Sequence, residues 1–439
     1  MSPELRRSIG LIQATAMVAG TIIGASIFVQ PSVITAEVPS LGAVTAVWIV
    51  AGVLTLCGAL VTAELASAYP ETGGVYVFLK EAFSPALGFL WGWAMFWSMH
   101  SGIIAAIAVV FATYVGRFVT LGDAGVRAVA IAGVLLLSAI NYVGVRHGSR
   151  LQTTFTIGKV AAILAIVVVG FAVPHGRTSP VLPTGAAPTL TGLPPLGAFA
   201  LALVAGLFAF GGWHMVTYAA GETVDPERTI PRALVLGTLV VTLCYVTLNA
   251  AYFHVLPLEA VISSRRVAAD AAEVVMGPRG AAVVSGLVVF STFGALSGIV
   301  LAGPRVYYSM ARDGLLFRWV GEVHPRFLTP HRAIMLQAVW ASALIATGTY
   351  RALFTRVVYT EWIFFGLMAA GLVLLRRRAS YAPRYRVWGY PTLPIAFVIA
   401  SGLIVLNQIV ADPTESAIGL ALVALGLPVY LYWSRHAHR

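Results

Sequence analysis

The sequence is poor in charge and almost empty of cysteine. Only 10% of its 439 residues are Asp, Glu, Lys or Arg, against roughly 25% in soluble domains. Its two cysteines, Cys57 and Cys244, both fall inside apolar runs. That excludes a disulfide framework and offers no metal-ligand spacing. HExxH and CxxC do not occur. Neither does a Walker-type loop, because Thr153 stands where the first glycine before Gly158-Lys159 would be. No ATP site is encoded, so any pumping must draw on gradients or exchange. No catalytic constellation appears within the apolar runs, and neither an enzyme nor a metal or cofactor is expected.

What the sequence has in excess is hydrophobic length: 59% of it is hydrophobic and its mean hydropathy is +0.87. A membrane span needs about 20 mainly apolar residues. Twelve runs meet that need, over residues 10–31, 40–68, 85–116, 124–143, 152–173, 195–220, 232–255, 280–309, 333–350, 355–375, 391–411 and 414–434. The expectation is an all-α membrane protein of 12 transmembrane helices with no separate soluble domain. The first run has its glycines in mid-run and no small-residue cleavage site after it, so it is not read as a signal peptide.

The net charge of +11 reports topology. With both termini cytoplasmic, 19 of the 28 Lys and Arg residues fall on the cytoplasmic side and 8 opposite, with Lys159 alone inside a span. This is the positive-inside bias. It points to anionic lipid headgroups rather than nucleic acid as the basic surface's partner.

Two of the runs are interrupted. The first carries Gly20-Thr-Ile-Ile-Gly24-Ala25-Ser26, and the sixth carries Phe208-Ala209-Phe210-Gly211-Gly212-Trp213-His214. Five spans separate them, so they occupy equivalent first positions in two halves, and an odd number of spans per half inverts one half against the other. The expected division is 1–175 and 190–376 for two five-helix repeats, and 385–439 for two C-terminal helices. Paired interruptions of this kind point to a transporter binding site. Unwinding in hydrocarbon is costly unless the segment lines a cavity or is buried, and it frees N–H and C=O groups near mid-membrane. The helix resuming near Ala25 carries positive dipole character and suits a carboxylate. Freed carbonyls suit an ammonium group. The competing reading is packing: Gly20-xxx-Gly24 and Gly294-xxx-Gly298 are also small-residue faces of the kind that seat helices together.

Seven stretches in order resemble the L-type amino acid transporter branch of the amino acid–polyamine–organocation superfamily, over nearly the whole chain. They are GTIIGASIF, AELASAYPETGGVYVFL, LFAFGGWHMVTYAAGE, YVTLNAAYF, STFGALSGIVLAGPRVYYSMARDGLL, VHPRFLTPHRAI and YRVWGYPTLP. The resemblance implies the five-plus-five inverted, LeuT-like fold with broken helices 1 and 6. It implies that amides of Gly24, Ala25 and Ser26 hold the substrate carboxylate. The carbonyls of Ile22, Phe208 and Gly211 would take the amino group, with Ala209 in the same stretch, and Phe208 would close over the substrate as a gate. Lys159 would fill the space that sodium occupies in related carriers, tying span 5 to the first break and to span 8, and Tyr245 would reach the site. Ala25-Ser26 departs from the family's Ser-Gly, which puts affinity and tolerated substrate size in question. Eukaryotic relatives join a heavy subunit through a cysteine after span 3. Residues 117–127 contain none, so no disulfide-linked heavy subunit is expected.

The function expected is a sodium-independent secondary carrier of neutral L-amino acids, by exchange or facilitated diffusion, in a bacterial inner membrane. Phe208, Phe210 and Trp213 are read as apolar pocket walls, and neither broken segment contains Asp, Glu, Lys or Arg. A proton-coupled symporter, a cationic amino acid or polyamine carrier, and a non-transporting sensor are the alternatives. The cationic reading needs an acid in the pocket; its one candidate, Glu361, is expected near a membrane surface. Glu64 and Glu222 are expected at cytoplasmic span ends, paired with loop arginines or solvated. His214 is read as a hydrogen-bonded interior histidine.

Overall fold

A computed structural model describes residues 5–24, 26–116, 118–172, 196–264, 266–349 and 359–436. Residue 25, the 175–190 junction and the start of the tenth expected run, 350–358, lie outside the described residues. The chain is all-helical there apart from one isolated bridge between Ile9 and Thr223.

In chain order the helices are α1 Leu11–Ile22, α2 Ser26–Glu37, α3 Leu41–Ala68, α4 Val75–Ala82, α5 Pro85–Val115, α6 Asp123–Val143, α7 Val145–Ala172 and α8 Leu196–Ala209. A 3-10 segment, Trp213–Glu222, follows. Then come α9 Pro226–Val255, α10 Leu258–Ser263, α11 Val267–Met276, α12 Pro278–Ala302, α13 Pro304–Arg312, α14 His331–Thr347, α15 Thr360–Leu375, α16 Thr392–Ala411, α17 Pro413–Ala424 and α18 Gly426–His436. Among the described residues nine helices, some running through a kink, are long and apolar enough to cross a membrane, or ten if the bent pair α1/α2 is one span. The protein is a multi-pass membrane protein. Residues α14 and α15 contribute are fewer, 17 and 16.

Local chemistry sets several of these ends. Ser40 caps α3 by accepting the Ala43 amide at 3.2 Å, and Ser84 caps α5 ahead of Pro85. Within α5, Met95–Met99 widens into a π turn, and the Ser101 hydroxyl bonds the Phe96 carbonyl five residues back at 2.6 Å. Such bulges cluster at functional positions. α1 packs against α7, α9 and α12, α7 against α9 and α12, and α3 against α9, around one continuous core, and α12 also lies along α5.

At the end of the bundle where α1 begins, polar ties replace apolar packing. The Ser8 and Ile9 amides donate to Glu222 O at 2.8 and 3.0 Å, and the Val224 amide donates to Ile9 O at 2.9 Å. Glu222 pairs with Arg305 through two bonds of 2.6 and 2.9 Å, both side chains fully buried. Glu64 takes Arg376 Nε at 2.8 Å and the Val387 amide at 2.6 Å. Asp313 takes Tyr76 Oη at 2.6 Å and Lys80 Nζ at 2.8 Å. Both glutamates are paired as expected, but with arginines on helices or at their ends (Arg305 in α13, Arg376 just past α15) rather than in loops.

A buried charge stripped of its partner costs far more than the pair gains. Arg305→Met should therefore lower stability by about 3–5 kcal/mol, and adding Glu222→Met should recover most of that. Thermal unfolding of the purified variants in micelles reads both.

Candidate functional site

α1 stops at Ile22 because Ile23 turns extended, at φ −71° and ψ 92°. The helix resumes as α2 from Ser26, its axis bent by 46°. α8 stops at Ala209, and a turn through Gly212 leads into the 3-10 segment. Gly212 has φ +96°, a conformation glycine adopts without penalty. A Cβ there would also sit 3.3 Å from Thr21 O. The two interruptions therefore touch. Thr21 Oγ1 joins them, 2.7 Å from Met17 O in its own helix and 3.1 Å from Gly212 O across the gap.

The packing and binding readings of the first-span glycines divide between the two residues. A Cβ on Gly20 would lie 2.1 Å from Thr156 Oγ1 and 2.2 Å from Gln152 Nε2, so Gly20 is a packing glycine that seats α1 on α7. A Cβ on Gly24 would meet nothing closer than Ala295 Cβ at 3.7 Å. Gly294 and Gly298 belong with Gly20: their added Cβ atoms would strike Phe155 Cβ at 2.6 Å and Gln152 Nε2 at 2.7 Å.

Four carbonyls at the first break, those of Gly20, Ile22, Ile23 and Gly24, lie within reach of side-chain donors. Lys159 Nζ gives hydrogen bonds to Gly20 O at 2.8 Å and Ile23 O at 2.7 Å. Its side chain is 2% exposed, so it binds the break and does not snorkel to a surface. Its stem lies against α12, where a Cβ on Gly294 would come within 2.8 Å of Lys159 Cε. Tyr245 Oη lies 3.1 Å from Ile22 O and 3.0 Å from Ala209 O, bridging both breaks directly. Ser291 Oγ reaches Gly24 O at 3.4 Å. A buried carbonyl left unpaired costs about 1–3 kcal/mol, so these donors make the unwound geometry tolerable in an apolar bundle. Each carbonyl keeps a second lone pair for another donor.

The remaining expected site residues are placed as follows. Ala25 lies outside the described residues. Ser26 is half-buried at the start of α2. Phe208 is 42% exposed and Gly211 is exposed, whereas Ala209 is buried. Phe208 O accepts the Gly211 amide at 3.1 Å, which closes the turn. Two expected pocket walls are instead core. The Phe210 ring packs on Trp48 and Tyr245 at 6.4 and 5.0 Å, and Trp213 packs on Phe365 at 5.3 Å. Both are nearly fully buried.

Two titratable residues differ from expectation. His214 is buried, but neither ring nitrogen has a hydrogen-bond partner among the described residues. Its ring sits among Phe365, Trp213, Tyr218 and Trp91 at 4.7 to 5.9 Å. Glu361 is not near a surface. Its neighbour Thr360 bonds Met99 Sδ at 3.6 Å, and Met99 lies halfway along the 31-residue helix Pro85–Val115. Sequence reasoning missed Thr21 and Ser291, although a hydroxyl within an apolar run was a visible signal. The cysteines are free, and no group of three His, Cys, Asp or Glu among the described residues could hold a metal.

A family profile described as amino acid permease matches residues 9–427. The chain is 32% identical to large neutral amino acids transporter small subunit 2 of Oryctolagus cuniculus over 437 residues, 98% of the chain and 81% of that protein. It is 31% identical over 430 residues to the serine/threonine exchanger SteT of Bacillus subtilis, covering 97% of the chain and 96% of the relative. To Asc-type amino acid transporter 1 of Mus musculus it is 30% identical over 439 residues, 98% and 82% of the two chains.

Lys159→Ala removes both donors from Gly20 O and Ile23 O. Amide hydrogen exchange around residues 20–28 should accelerate markedly, with Tyr245→Phe giving a smaller increase in the same stretch. Unchanged protection would mean that these bonds do not hold the break.

Proposed function

The chain belongs to the amino acid permease family, and from that membership we propose that it carries neutral L-amino acids by sodium-independent exchange, through alternating access. The observation that carries this reading is the direct contact between two interrupted helices, made by Thr21 and Tyr245. Gly24, Ala25 and Ser26 amides are assigned the substrate carboxylate, at the positive end of α2. The carbonyls of Ile22, Phe208 and Gly211 take the ammonium, with Ala209 and Tyr245 beside them. The looser packing at Gly24, where an added Cβ would make only van der Waals contact, supports this, because amides can be approached closely only where no side chain intervenes.

Neutral substrates follow from charge balance. Neither broken segment carries a carboxylate or a basic side chain to neutralise a charged substrate side chain. The exposed ring of Phe208 is assigned to cover the bound substrate and exclude water. Sodium independence follows from Lys159, whose ammonium already occupies two of the carbonyls that a cation at the break would need. Exchange is supported by the name of the Bacillus subtilis relative. The names of two others describe amino acid transporters.

The same reading includes twelve spans, with α14 and α15 completing the count, in two inverted five-helix repeats over 1–175 and 190–376 and two further helices over 385–439. Both termini are assigned to the cytoplasm on the distribution of Lys and Arg. The ties at Glu222, Glu64 and Asp313 then close the cytoplasmic mouth. Alternating access would require that they part when the bundle opens inward.

Reconstituted proteoliposomes test the proposal. Labelled neutral amino acid should enter only when unlabelled substrate is inside; entry independent of internal substrate would refute exchange, and binding without entry would identify a sensor. Gly24→Leu should abolish uptake while leaving the melting temperature near that of the unaltered protein, whereas Gly24→Ala should retain uptake. Normal uptake by the leucine variant would remove Gly24 from the site.

A further inference from the structure

The interior acids of this bundle fall into two groups. Glu64 and Glu222, both fully buried, each hold an arginine. Glu361 holds none among the described residues, although it lies level with the middle of the 31-residue helix α5 and is half-buried. It stands one turn before Phe365, whose ring rests on His214 at 4.7 Å and Trp213 at 5.3 Å, the two residues that follow the sixth-span break. Glu361 therefore sits at the level of the interruption itself. Its position in the first turn of α15 offers some dipole stabilisation, which is smaller than the cost of an isolated charge at that depth.

We propose that Glu361 is a proton-binding site: it holds a proton while the bundle is closed around substrate, and loss of that proton slows exchange. This rests on the carrier reading. A neutral carboxyl can be accommodated here and can donate a hydrogen bond, whereas a carboxylate without a counter-ion must either draw water in or resist closure. Among the described residues the surroundings supply no competing cation. From the 3-10 segment, Tyr218 Oη is within electrostatic reach of Glu361, and His214 lies beside Tyr218. From α5 comes His100, whose Nε2 is engaged with Ile299 O at 2.9 Å. Tyr307 of α13 lies beyond Tyr218. α16 contributes no ionisable residue. α4 carries Tyr76, Lys80 and Glu81, and its last residue, Ala82, meets α15 at Gly371, on the order of 15 Å further along α15 at 1.5 Å per residue. Glu64 of α3 lies beyond that and is bound to Arg376. Glu415 of α17 is the remaining acid on a neighbouring helix, in that helix's first turn.

The test is counterflow of a neutral amino acid in proteoliposomes held at equal pH on both sides, from mildly acid to mildly alkaline. The unaltered protein should lose exchange severalfold as pH rises, and Glu361→Gln, which mimics the neutral acid, should keep the acid-side rate throughout. A flat profile in the unaltered protein, or an unchanged slope in Glu361→Gln, overturns the assignment. Uptake of arginine that Glu361→Gln abolishes would also overturn it, making the carboxyl a counter-ion for a basic side chain. Infrared spectroscopy is an independent readout: at neutral pH the unaltered protein should show a protonated-carboxyl C=O band that Glu361→Gln lacks, and absence of that band refutes the proposal. Failure of all counterflow in the unaltered protein would instead count against the carrier reading, with the infrared band still deciding the state of Glu361.

Discussion

The hydrogen bonds from one ammonium group to two backbone carbonyls hold this architecture open. Lys159 reaches Gly20 O and Ile23 O from a neighbouring helix. Without such donors, the unwound stretch between α1 and α2 would expose acceptors to an apolar interior, and the favoured response would be to rewind into continuous helix. Tyr245, Thr21 and Ser291 extend the same arrangement to Ile22, Ala209, Gly212 and Gly24. The irregular backbone is thus a property of five helices together, and no single segment sets it.

This dependence explains why small residues gather where they do. Gly20, Gly294 and Gly298 bring α1, α7 and α12 close enough for the side chain of Lys159 to span the gap. Larger residues there would push the helices apart and lengthen those bonds beyond use. Close packing and the opened backbone are consecutive requirements of one design, which is why small residues gather at the break.

Much of this was legible in the sequence. Hydropathy located the long helices, because in a bilayer length and apolarity are forced together. The two interruptions were also visible, and the tie from Lys159 to the first break was implied by the family resemblance. The short helices α4, α10 and α11 were not, since segments of 6 to 10 residues leave little periodic trace. The fates of Phe210 and Trp213 could not be read either: which way a ring points at a break depends on backbone angles that residue type alone does not set. The depth of Glu361 was misjudged because α15 begins at Thr360, so its first turn packs at mid-bundle and not at a rim.

The strand-like pairing of Ser8 and Ile9 with residues 222–224 uses amide groups alone. Side chains at those two positions can drift through evolution without altering it, proline excepted, since proline has no N–H to give. It also couples the beginning of α1 to the end of the 3-10 segment as a mechanical linkage. A swing of either element then pulls the other, and the two move as one lever.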